Sequence, residues 1–244
     1  NDILNLVDID DADAENGSMS ATQVTGLGMT NGINYSAVET LNLWLGTGAN
    51  VFTVASTSAV TNLDTNSGSD TVNIGDGTSS MDGFLAALNI VAGAHDAGNT
   101  DLTIHSNTNS LPTGDILNLK DQGDASNNLY DLTSNTFQRT AAGLLTFATI
   151  ENINLNSGIG TATLNLVSMI IGINLTLNAT GANTGMDTVN ITTTGASSNV
   201  WVNTFTGADQ VNVTTTGAGA YLKVNAGTEN DQITLFATGA NSKV

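Results

Sequence analysis

The last third of the chain repeats one short apolar pattern at a nearly fixed interval. Ile153/Leu155, Leu164/Leu166, Leu175/Leu177, Val189/Ile191, Val200/Val202, Val211/Val213, Leu222/Val224 and Ile233/Leu235 each flank one other residue. The step between successive pairs is 11 residues, with a single step of 14. Side chains of a strand alternate between faces, so each pair is the inward row of one short strand. Strands at a fixed interval are the signature of coils stacked around one continuous core. The pattern predicts an all-β fold, a right-handed parallel β-solenoid (β-helix).

A finer period fixes the expected coil. Asp187, Asp209 and Asp231 stand 22 apart, two residues before alternate pairs, and Gly195, Gly217 and Gly239 also stand 22 apart, each just after a strand. A coil of about 22 residues carrying two strands explains both spacings; a three-strand coil would not place acids every 22. A longer repeat overlies this one. Asp2-Ile3-Leu4-Asn5-Leu6 returns as Asp115-Ile116-Leu117-Asn118-Leu119, and Asp8 and Asp11 return as Asp121 and Asp124, all at an offset of 113. The expectation is a single continuous solenoid segment over 1–244, with module 1 about 1–113 and module 2 about 114–244, part of a longer repeat protein or assembly. In module 1 the beat runs through Leu41, Phe52 and Leu63 and loosens through Val72, Leu88 and Leu102. Residues 8–35 and 120–149 break it at matching places and read as long loops, the usual carriers of contacts.

Composition narrows the partners. The net charge is −18, with four basic residues, Lys120, Arg139, Lys223 and Lys243. Nucleic acid binding draws on a basic patch to neutralise phosphates, so no nucleic acid partner is expected. The acidity suggests cations instead. There is no cysteine, which removes disulfides, thiolate metal sites and cysteine nucleophiles together. No apolar run approaches the roughly 18 residues that a membrane span needs. The abundant glycine and single proline, Pro112, suit turns alternating with strands.

The signature Asp-x-φ-Asn-φ, with φ apolar, recurs at Asp70, Asp187 and Asp209. Its Asn points outward and can ladder with neighbours. Its Asp has the phase of the core residues and leans inward at the start of the strand, where a carboxylate must be satisfied. It can accept turn N–H groups or bind a cation. A denser cluster is Asp8, Asp10, Asp11, Asp13 and Glu15. Carboxylates this close can chelate calcium through oxygen. Asp8, Asp10, Asp11 and Asp13, with Asp121 and Asp124 second, are therefore the candidate metal ligands, and Ca²⁺ is the candidate cofactor; the other reading is a solvated acidic loop. An EF-hand does not fit, because the sixth and twelfth positions from Asp11 are Asn16 and Thr22. His95 and His105 read as surface residues. Thr192/Thr194 and Thr214/Thr216 form a small array in register, such as ice-binding solenoids display. Sequons stand at Asn16, Asn34, Asn174, Asn178, Asn190 and Asn212.

Gly68-Ser69-Asp70-Thr71-Val72, Gly185-Met186-Asp187-Thr188-Val189 and Gly207-Ala208-Asp209-Gln210-Val211 resemble the second half of the repeat-in-toxin nonapeptide. Thr65-Asn66 and Thr204-Phe205 replace the Gly-Gly pair of the first half. With Thr25-Gly26-Leu27-Gly28-Met29, Val38-Glu39-Thr40-Leu41-Asn42-Leu43 and Leu45-Gly46-Thr47-Gly48, residues 1–120 resemble repeat modules of very large bacterial secreted or surface-attached proteins of the adhesin and calcium-binding kind. Where such modules read Gly-x-Asp-x-Phe, this chain has Gly48-Ala49-Asn50-Val51-Phe52. The resemblance implies an extracellular or cell-surface location and a structural role: surface layer, fibre, stalk or adhesin. Its partners would be copies of itself or neighbouring solenoid modules, and cell-surface glycans. No catalytic motif is recognisable, so the expectation is a protein that is not an enzyme. The alternatives are a polysaccharide-acting β-helix lyase or glycosidase, and an ice-binding solenoid.

Overall fold

The computed structural model describes residues 1–93, 114–179 and 185–244. Leu102, His95 and His105 lie outside the described residues, and the readings placed on them go no further. The described residues hold strands and turns and no helix. The first strands are β1 (Ile3–Val7), β2 (Asn16–Met19), β3 (Gln23–Gly26), β4 (Met29–Asn34), β5 (Thr40–Trp44), β6 (Val51–Val54), β7 (Val60–Asp64), β8 (Thr71–Ile74) and β9 (Leu88–Val91). There follow β10 (Ile116–Lys120), β11 (Asn128–Leu132), β12 (Thr136–Arg139), β13 (Leu145–Ala148), β14 (Asn152–Asn156), β15 (Ala162–Leu166) and β16 (Asn174–Asn178). The last are β17 (Thr188–Thr193), β18 (Asn199–Asn203), β19 (Gln210–Thr215), β20 (Tyr221–Asn225) and β21 (Gln232–Ala237).

The chain divides into two compact units, Asn1–Asn118 with Ala141–Asn152, and Leu119–Thr140 with Ile153–Val244. In the first unit, one sheet runs β1-β5-β7-β9-β13, parallel throughout. The other runs β8-β6-β2-β3-β4, where β2, β6 and β8 are parallel and β2-β3-β4 is an antiparallel ribbon. In the second unit, one sheet runs β12-β11-β15-β17-β19-β21 and the other β20-β18-β16-β14.

The two segments read as loops are partly strand. β2 and β3 close on a turn in which Ser20 N–H donates to the Gln23 carbonyl, and β11 and β12 on one in which Thr133 N–H donates to the Thr136 carbonyl. Both are short polar hairpins inserted into an otherwise parallel stack. The buried pair Tyr130/Leu132 lies beside Leu164/Leu166 but 34 residues before it, off the 11-residue interval, which is why the periodicity passes over the hairpin.

The apolar pairs are the core, as their spacing predicts. Leu164/Leu166, Leu175/Leu177, Val189/Ile191, Val200/Val202 and Val211/Val213 are all buried. Val189 lies beside Val211, and Val211 beside Ile233, in parallel register. Ladder bonds link residues 22 apart at these strands and 25 apart at β15–β17 and β16–β18. The extra three residues come from the single long step between Leu175 and Val189. Each fully buried Val or Leu contributes roughly 1.5–3 kcal/mol. Gly217 shows how tightly the turns stack: a Cβ there would meet the Gly195 carbonyl oxygen at 1.9 Å.

Candidate functional site

Three kinds of acidic position emerge. The first is a buried acceptor ladder at the starts of strands. In the second unit Ala162 N–H donates to Asp187 Oδ1 (2.7 Å), Asp187 N–H to Asp209 Oδ1 (2.8 Å) and Asp209 N–H to Asp231 Oδ1 (3.0 Å). In the first unit Glu15 N–H donates to Asn50 Oδ1, Asn50 N–H to Asp70 Oδ1 and Asp70 N–H to Asp115 Oδ1. Of the two sequence readings, the carboxylate serves backbone N–H groups, but those of the preceding coil rather than of its own turn. The other oxygens of Asp187 and Asp209 are shut off from solvent and have no hydrogen-bond partner. Burial, helped by the neighbouring Asp209 charge, pushes the Asp187 carboxyl up to about 6. Burial also raises Asp209, with Asp231 and Glu229 adding to it. Asn50 occupies the same kind of position without charge and gives its amide N–H to the Gly46 carbonyl (3.1 Å).

The second is a charged clasp in the second unit. Asp121, Asp124 and Arg139 are all buried, Arg139 to 2% exposure. Arg139 Nε donates to Asp121 Oδ2 at 2.6 Å and its terminal nitrogen to Asp124. The Tyr130 hydroxyl donates to Asp121 Oδ2 (2.7 Å) and accepts the Gly158 N–H (2.8 Å). The Asn128 amide donates to Asp124 Oδ2 (2.7 Å). Burial opposes ionisation of Asp124, but the Ser126 N–H, the Asn128 amide and the Arg139 charge outweigh it and hold the carboxyl below its usual range. Burial and the Asp121 carboxylate push the Tyr130 phenol up. Of the predicted ligands, Asp121 and Asp124 thus share the charge of the chain's one arginine.

The third is the corner after β1. Asp11 N–H bonds the Asp8 carbonyl, and Asp13 N–H bonds Asp11 Oδ1 (2.8 Å). This turn brings one carboxylate oxygen each of Asp8, Asp11 and Glu15 within 4.8 Å of one another. Asp10 and Asp13 are exposed and lie outside that triad. Glu15, which the sequence marks only as the end of the acidic run, completes it; its place depends on β2, which starts at the next residue. Burial raises Glu15, and the Asp11, Asp8 and Asp13 charges raise it further. Burial and then Asp11 raise Asp8. Glu15 Oε2 is shut off from solvent and has no hydrogen-bond partner. Asp8 also lines, with Leu6, Leu27, Met29 and Ile33, a groove of about 260 Å³.

The outward rows carry amide ladders. Asn62 donates to Asn42, and Asn42 to Asn5, in the first unit; Asn212 donates to Asn190, and Asn190 to Asn165, in the second. Asn174 and Asn178 join similar ladders, so four of the sequon amides are engaged. The threonine array does not present one face. Thr194 and Thr216 are buried and accept the N–H groups of Gly217 and Gly239, while Thr192 and Thr214 point outward. No helix among the described residues is long and apolar enough to cross a membrane. Compared with known proteins, the chain matches no family model, no curated protein and no solved structure.

Proposed function

We propose that this chain is a rigid segment of an extracellular or cell-surface structural protein: a stalk, fibre, surface layer or adhesin. In this reading it is a right-handed β-solenoid of about 22 residues and two strands per coil. The observation that carries the reading is where its polar groups go. Outward Asn side chains bond along the stack, from Asn165 through Asn190 to Asn212, and inward Asp side chains do the same from Asp187 through Asp209 to Asp231. Groups bonded to the next coil stiffen a rod; a catalytic surface would need them convergent on a substrate.

The reading includes assembly through a strand edge. Ile233 and Leu235 continue the inward row of Val211 and Val213, yet they are 53% and 39% exposed where Val211 and Val213 are each 1% exposed. An apolar strand edge of this kind accepts another strand, and a coil of the same repeat has the matching spacing. The experiment is labelling of intact cells of the source organism with antibodies raised against the chain. Labelling of unbroken cells is expected; labelling only after lysis overturns the location. Cleavage of a defined polysaccharide by the purified chain would overturn the structural reading in favour of an enzyme.

A further inference from the structure

We infer that β21 of one copy of this chain docks in parallel on β1 of a second copy, with the Asp231 N–H donating to the Asp2 carboxylate of that copy. This docking rests on the reading of the chain as an assembling structural segment, and adds to it the receiving edge, the register and the polarity. Its template is a joint that the chain already makes internally. Wherever one Asp-led strand stacks on another, two bonds recur. The earlier Asp N–H donates to Oδ1 of the later Asp, and the N–H after the later Asp donates back to the earlier carbonyl. Asp187 and Asp209 are joined this way, by Asp187 N–H to Asp209 Oδ1 (2.8 Å) and Gln210 N–H to the Asp187 carbonyl (2.9 Å). Asp209 and Asp231 repeat it at 3.0 and 2.8 Å. In the first unit Asp70 and Asp115 repeat it, through Asp70 N–H to Asp115 Oδ1 and Ile116 N–H to the Asp70 carbonyl. The joint has a direction, so a stack of such strands finishes on a donor N–H at one edge and an acceptor carboxylate at the other.

The donor half is open at β21 and the acceptor half at β1, each the outermost strand of its sheet among the described residues. Asp2 is the counterpart of Asp115 at the offset of 113, and the two are held alike. Asp2 N–H donates to Glu39 Oε2 as Asp115 N–H does to Glu151 Oε2, and Glu39 N–H bonds the Asp2 carbonyl as Glu151 N–H bonds that of Asp115. The other side differs. Against Asp115, Ile116 and Asn118 lies the Asp70 strand, with the Asn118 amide donating to Asn73. Among the described residues no strand lies against Asp2, Ile3 and Asn5 on that side. Setting β21 there in the register of the Asp70 joint places Asp231 on Asp2, Ile233 on Leu4, Thr234 on Asn5, Leu235 on Leu6 and Phe236 on Val7. The outward row is an independent sign of the same contact. Phe236 follows Thr192 and Thr214 at steps of 22, so an aromatic ring replaces a hydroxyl on the last strand alone. Phe236 is exposed, and so is Val7, in register with Trp44. This register buries both exposed apolar side chains together. A two-fold pair of β21 with β21 would be antiparallel and could not form the parallel joint, so the contact is head-to-tail.

The test uses cysteine, which the chain lacks. Thr234→Cys in one preparation and Asn5→Cys in another put thiols at facing outward positions, at a strand spacing that a disulfide spans. The two are mixed at high salt, which screens the net charge of −18, and oxidised. A mixed disulfide dimer is expected on a non-reducing gel, with little dimer from either preparation alone. Thr234→Cys with Val7→Cys, two residues off register, should cross-link several-fold less. Asp2→Ala in the Asn5→Cys chain should lower the yield on the order of tenfold, the worth of one hydrogen bond to a charged group. Because Asp2 lies at a free edge, its circular dichroism spectrum should be unchanged. Absence of the mixed dimer at every concentration would overturn the docking. Preferential cross-linking of Thr234→Cys to itself would overturn the parallel register, and equal yields with and without Asp2→Ala would overturn the Asp joint. None of these results bears on the location of the protein, which cell labelling decides, and labelling only after lysis would leave the joint standing.

Discussion

Asp187 places a carboxylate inside the second unit with one oxygen bonded to Ala162 N–H and the other bonded to nothing. Its carboxyl titrates near 6 in the folded chain against 3.8 for the ordinary side chain. Between those values the folded state holds a proton that the unfolded state has released. Stability from this group is therefore lowest above pH 6, rises as pH falls through 6, and levels off below about 3.8. The gain is at most about 3 kcal/mol. Denaturant unfolding at pH 7 and pH 5 should show the acid sample more stable, and Asp187→Asn should flatten that difference. An unchanged pH profile in Asp187→Asn would assign the effect to general charge repulsion instead. Asn50 indicates that an amide can do this job, provided its N–H₂ finds an acceptor as it does at Gly46. Val211 is the apolar counterpart. Val211→Asp buries an unpaired charge between Val189 and Ile233 and should cost about 4 kcal/mol or more, measured by the same unfolding.

The hairpin β11–β12 is held by charge rather than by an apolar row alone. Arg139 lies at the end of β12, directly across from Tyr130 on β11, and this register delivers its guanidinium to Asp121 and Asp124. Arg139→Met should cost about 3–5 kcal/mol, because it leaves two buried carboxylates uncompensated. Adding Asp121→Asn and Asp124→Asn to that variant should recover much of the loss. If Arg139→Met melts with the wild type, the clasp is not a stability element. The ribbon β2–β3–β4 solves the same topological problem in the first unit without a guanidinium.

β21 ends its sheet with a six-residue strand, Gln232 to Ala237, that carries no charge. Phe236, within this strand, is exposed. Natural edge strands are commonly blunted by lysine, proline or bulges, and β21 has none of these. Self-association through this edge should rise with concentration in sedimentation velocity. Ile233→Lys with Leu235→Lys should abolish it while leaving the circular dichroism spectrum unchanged. A chain that stays monomeric at every concentration would remove the edge as an assembly surface. The net charge of −18 opposes association at low salt, so the effect should strengthen as salt screens it.

The amino-acid sequence by itself determined the all-β class of fold, its core and the spacing of the buried apolar pairs. Apolar pairs every 11 residues leave one way for alternate side chains to share an interior, and that information is local. Outward asparagines were legible for the same reason, because strand phase alone sets their face. What each acid does was decided only by tertiary structure. The partner of Asp187 is a backbone N–H 25 residues earlier, the partner of Asp121 is a guanidinium 18 residues later, and Thr194 turns inward to meet Gly217. Those encounters depend on the register of one coil upon the next and on two hairpins that carry no periodic signal. Asp121 and Asp124 look like Asp8 and Asp11 in the sequence. They differ in chemistry because Arg139 stands on the paired strand where the first copy has Gly26, and only the folded chain puts those positions side by side.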